Sequence, residues 1–190
     1  MYTILYFTVY NNIMKKLVCC LKDKLRSRLS PNEIHEMCFL TQGRENDWVK
    51  AELFELIKDV DKRISYNALY VFTKFDLSNS EWLYQKQDEL INRALQEQRE
   101  GYMRLLLTLL LRQPFDSENL RTDFLDFCLL GITSCTKLTA VRVLCMKLAY
   151  EQCKFFPELL EELRCTLNLL EHEPLSSGLA TARKNILKMI

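Results

Sequence analysis

The chain has 190 residues, enough for a domain with a real core, and its 48% hydrophobic and 27% charged residues are the balance of an ordinary soluble globular protein. A net charge of +1 lacks the basic excess of a dedicated nucleic-acid binder. Four glycines and four prolines are too few turn formers for a β-rich fold or a loop-rich enzyme, so helices joined by short connections are expected.

Residues 1–13 (MYTILYFTVYNNI) carry no charge. Lys15 and Lys16 follow this apolar stretch, the wrong order for a secretory signal, and the stretch is too short to cross a bilayer as a helix. Met14 followed by Lys-Lys-Leu reads as a natural start. Residues 1–13 are therefore expected to be a non-structural extension, and 14–190 a single domain.

From there the apolar spacing is helical throughout. Leu17, Leu21, Leu25 and Leu29 share one face of a first helix over 14–29. Ser30-Pro31-Asn32-Glu33 supplies an N-cap, a Pro at the first helical position and a Glu at the third, and that helix stops at Gly43. A helix from Asn46 or Asp47 carries Trp48, Val49, Leu53, Phe54 and Ile57 to Asp59. After the turn at Asp61-Lys62-Arg63, its partner carries Ile64, Ala68, Leu69, Val71 and Phe72. Ser78-Asn79-Ser80-Glu81 is a second capping box, opening a helix with Trp82, Leu83, Leu90 and Ile91. Met103 to Leu111 follows as partner, its leucine run too short for a membrane and suited to a buried helix. Pro114 ends it. Asp116-Ser117-Glu118 starts the next helix, Ser134 to Thr136 caps its partner, Pro157 opens a further one, and Ser176 to Ile190 forms the last after Pro174.

Arg63, Arg104, Arg142 and Arg183 are separated by 41, 38 and 41 residues, each near the start of a segment that follows another helix. A period of about 40 residues marks stacked helix pairs. Asp61-Lys62-Arg63-Ile64 with Ala68-Leu69 and Thr139-Ala140-Val141-Arg142 with Leu144 fit the opening of a second helix well. Thr181-Ala182-Arg183 fits partly and Gly101-Tyr102-Met103-Arg104 least, while Pro157 to Leu163 looks like a first helix. Over residues 46–190 this pattern resembles HEAT-like repeat proteins of the HEAT/armadillo type. The resemblance implies an all-α, right-handed α-α superhelix of about five helix pairs. It further implies a non-enzymatic scaffold that binds a protein or peptide on the concave face of its second helices. HEAT-like folds also include DNA glycosylases with a basic concave groove. The near-neutral charge makes nucleic acid the less favoured partner.

Six residues are candidates for binding: Arg63, Arg104, Arg142, Arg183, Trp48 and Trp82. For the arginines the favoured role is structural, spanning from one repeat to the next to reach an acidic residue or helix-end carbonyls. The tryptophans are expected to pack between repeats, with an aromatic face for a partner as the alternative. No catalytic residue, metal or cofactor is expected. His35 and His172 are far apart, the glycines are isolated, and the eight cysteines include no Cys-x-x-Cys pair. The cysteines read as buried, free thiols of a reducing cytoplasm.

Overall fold

The structure, a computed structural model, describes residues 19–190, and every regular element among them is helical. The expected extension at 1–13 and the opening of the first helix, with Leu17, lie outside the described residues. Helix α1 occupies 19–25. It is followed by α2 (Pro31–Thr41), α3 (Asp47–Glu55), α4 (Lys62–Phe72), α5 (Leu77–Ser80), α6 (Gln87–Gln96) and α7 (Glu100–Leu110). Then come α8 (Thr122–Thr133), α9 (Thr139–Cys153), α10 (Pro157–Asn168) and α11 (Ser177–Leu187).

The local signals at α2 work as expected. Ser30 accepts from the Glu33 amide, and the Glu33 carboxylate accepts from the Ser30 amide at 2.7 Å. Those bonds hold the Glu33 carboxyl below its ordinary range. Beyond α2, Gly43 takes φ 93°, a backbone region that costs any residue with a Cβ. Its carbonyl accepts from Lys50 Nζ at 2.7 Å and its amide donates to Asn79 Oδ1 at 2.7 Å. Lys50, 2% exposed and also paired with Asp47, thus pins the turn from beneath. A Cβ at position 43 would also run into the Glu45 carboxylate. Gly43→Ala is expected to lower stability by about 1–2 kcal/mol in urea melts, whereas Gly43→Asn, which tolerates this conformation, should cost less.

Three expected starts fall elsewhere. Asp76, not Ser78, caps the short α5: its carboxylate takes the Asn79 amide and the Ser78 hydroxyl. A 3-10 stretch, Glu81–Lys86, then separates α5 from α6, so the segment expected as one helix is divided in two. Asp116 accepts from the amides of Glu118 and Asn119, but this turn does not propagate, and α8 begins only at Thr122. Ser134 and Thr136 bond to each other, and α9 starts at Thr139 behind Leu138, whose amide donates to Glu100 at 2.8 Å.

The helices gather into two compact units divided between Trp82 and Leu83. In the first, Leu21 and Leu25 of α1, Met37 of α2, Leu53 and Phe54 of α3 and Ile64, Leu69 and Phe72 of α4 form the core. Asn67 of α4 donates to the carbonyls of Leu25 and Ser27 at 2.8 and 2.9 Å, closing the end of α1. In the second unit α6, α8 and α10 form one layer, and α7, α9 and α11 lie in a second row against it. The leucine run of α7 is buried as expected, with Leu105, Leu106, Leu107, Leu109 and Leu110 inside. α8 and α9 approach so closely that a Cβ on Gly131 would sit 2.7 Å from Cys145 Sγ.

Candidate functional site on the second helices

The four periodic arginines do not share one environment. Arg142 is 9% exposed; its Nε donates to the Ile132 carbonyl at 2.8 Å, in the last turn of α8. Its other nitrogen reaches Glu173, in the connection between α10 and α11, at 3.1 Å. One guanidinium therefore closes its own pair and ties it to the next. Arg183 repeats the first half of this, donating to the Leu167 carbonyl at 2.7 Å at the end of α10. Both occupy the electronegative end of a helix, where a cation stabilises the unsatisfied carbonyls. Arg63 and Arg104 are exposed, and neither side chain has a hydrogen-bond or ionic partner among the described residues.

The tryptophans also diverge. Trp82 sits in the 3-10 stretch rather than in a first helical turn, stacked on Phe72 (6.1 Å, 7°) and edge-on to Phe54 (5.9 Å). It covers the core residues Phe54 and Phe72 while staying half-buried itself. Trp48, in the first turn of α3, is half-buried beside Phe39, which is 83% exposed. Tyr102, two residues before Arg104, is 1% exposed. Arg93 donates to its hydroxyl at 3.2 Å and Arg99 lies 4.3 Å over its ring. Burial raises the Tyr102 pKa.

Three surface hollows involve second helices. In the first unit, a hollow of about 640 Å³ runs between α2 and α4, with Ile34, Cys38 and Phe39 facing Tyr70 and Lys74. A neighbouring one of about 570 Å³ joins Phe39 to Trp48. In the second unit, a hollow of about 240 Å³ crosses Leu111 at the end of α7, Lys147 and Tyr150 of α9, and Ala182, Ile186 and Met189 at α11. Arg104 shares the stripe of α7 that ends at Leu111, since residues seven apart fall on one side of a helix. Sequence reasoning missed Phe39, although a phenylalanine on the outer stripe of a capped helix was a readable signal.

The cysteines divide evenly, with Cys38, Cys128, Cys145 and Cys153 buried and Cys19, Cys20, Cys135 and Cys165 exposed. Burial pushes the Cys153 thiol up to about 12 and raises Cys38 and Cys128 as well. A thiol reagent at pH 8 is expected to modify four cysteines of the native chain quickly and the buried four only on unfolding. A folded thiol pKa above the unfolded one stabilises the fold below pH 9 and loses that contribution between pH 9 and about 12. Urea midpoints measured across that window check it.

Among the described residues, no three of His, Cys, Asp and Glu converge in a way that could hold a metal ion, and no helix is long and apolar enough to cross a membrane. A family model described as a HEAT repeat domain matches residues 21–190. No curated protein and no solved structure matches the chain.

Proposed function

Because the chain belongs to the HEAT repeat domain family, we propose that it is a non-enzymatic scaffold that holds a protein or peptide against its second helices. One observation carries this reading: in each unit a hollow lies across neighbouring second helices, α2 and α4 in one, α7, α9 and α11 in the other. Stacked helix pairs of this kind present extended surfaces rather than a single deep cleft. The split among the arginines supports it. Arg142 and Arg183 are spent on helix ends, which leaves Arg63, Arg104 and Trp48 as the sequence-selected residues suited to touch a partner. The eight free cysteines suit a reducing, cytoplasmic setting.

The test is affinity capture from cytosol at physiological salt with the full chain and an Asn185→Trp variant, which fills the hollow beside Ile186. A specific protein retained by the native chain and lost on the variant is the expected result. Identical retention on an unrelated helical control protein would remove the proposal.

A further inference from the structure

On the helices α7 to α11 of the second unit the charged side chains that form no bond are sorted by layer, while Glu118 and Glu171 lie in the connections. Arg104 on α7, Lys147 on α9, Lys184 on α11 and Lys188 just beyond it make no hydrogen bond or ion pair among the described residues. All four belong to the second-helix row. On α8 and α10 the unbonded charges are Asp126, Glu158 and Glu162, all carboxylates and all exposed. The one carboxylate in the lining of the hollow, Glu151, is already engaged with Lys154 at 2.7 Å. The hollow itself is lined by the apolar Leu111, Tyr150, Ala182, Ile186 and Met189 together with Lys147, Glu151 and Asn185, and Met189 is 54% exposed.

We propose that the α7/α9/α11 face docks a short acidic segment of a partner protein, one apolar side chain filling the hollow and flanking carboxylates meeting Lys147 and Arg104. This rests on the scaffold reading above and specifies its partner. The volume of about 240 Å³ suits one large aliphatic or aromatic side chain. Arg104 lies roughly 10 Å along α7 from Leu111 at 1.5 Å per residue. Three helices about 10 Å apart are crossed by roughly six extended residues. A phosphate backbone would use the cations, but it has no group for an apolar slot between Leu111 and Ile186.

The experiment pans a random 12-residue peptide display library on three immobilised full-length proteins. These are the native chain, Arg104→Glu/Lys147→Glu, and a control, Arg28→Glu/Arg44→Glu, which reverses two exposed, unbonded cations of the other unit. Circular dichroism melts verify folding, and Arg104→Gln/Lys147→Gln replaces the first variant if it melts early. The expected result is enrichment of peptides with Asp or Glu on both sides of Leu, Ile, Met or Phe on the native and control proteins. Recovery of those peptides should fall at least tenfold on the charge-reversed face. Enriched peptides that are not acidic, or that survive the reversal, would overturn this inference and leave the scaffold reading intact. No enrichment on any protein would count against both. A 20-base-pair duplex DNA that binds the native chain in 50 mM salt, and is lost on the reversal, would reassign the face to phosphate and overturn it too.

Discussion

Replacing Arg142 with methionine is expected to cost about 2–4 kcal/mol, while the same change at Arg104 should cost less than about 0.5 kcal/mol. Methionine fills much of the same volume, so the loss isolates the polar contacts. The Ile132 carbonyl loses its 2.8 Å donor in a site that is 9% exposed and cannot recruit water freely. Glu173, whose side chain is 33% exposed, can turn to solvent, so its share is the smaller one. Arg183, at an intermediate position and bound to the Leu167 carbonyl, should fall between, near about 1 kcal/mol. Urea midpoints at constant slope measure all three. Equal effects at Arg142 and Arg104 would mean that the end of α8 is not held by this side chain.

The second large effect is expected at Gly131. Alanine is the better helix former by about 1 kcal/mol, so at an open helical site Gly→Ala would stabilise. Here the new methyl would stand 2.7 Å from Cys145 Sγ, in a buried crossing where neither backbone can retreat without disturbing Val141, Met146 and Leu148. Overpacking of this kind costs about 1–3 kcal/mol, enough to reverse the sign. The partner change identifies the cause. Removing the sulfur with Cys145→Ala leaves the nearest atom, the Cβ, 3.4 Å away, an ordinary close contact. In that background Gly131→Ala should become neutral or stabilising, a coupling of about 1–3 kcal/mol in a double-mutant cycle. Persistence of the full penalty without the sulfur would show that the glycine is needed for another reason.

Signals that depend only on neighbours in sequence were readable. Ser30, Pro31 and Glu33 start α2 because their partners are three residues away, and Pro157 starts α10 because a missing amide donor suits the first helical position. The buried stripes of α4 and α7 follow equally from period. Where two local signals compete, sequence cannot rank them. Asp76 and Ser78 are both of cap-forming type, and the Asp76 carboxylate, two residues earlier, takes the Asn79 amide and the Ser78 hydroxyl together. The late start of α8 is a tertiary matter: Arg121 is drawn to Asp88 and Asn92 of α6 at 3.0 and 2.8 Å. The arginine period places one arginine on each of α4, α7, α9 and α11. It could not reveal that Arg142 turns inward and Arg104 outward, because that depends on which helix end lies opposite. Nor could it reveal Lys50, a charged residue whose burial is permitted by a carbonyl seven residues back.

Sorting unbonded cations to one row of helices and unbonded carboxylates to the other gives the 83–190 unit an electric polarity across its thickness, although the whole chain is nearly neutral. Copies in dilute buffer are therefore expected to be drawn front to back, the lysine side of one toward the glutamate side of the next. The attraction fades as added salt shortens its reach to about 10 Å at 0.1 M. Self-association that melts away with ionic strength, without any change in helix content, is the bulk signature of that molecular asymmetry.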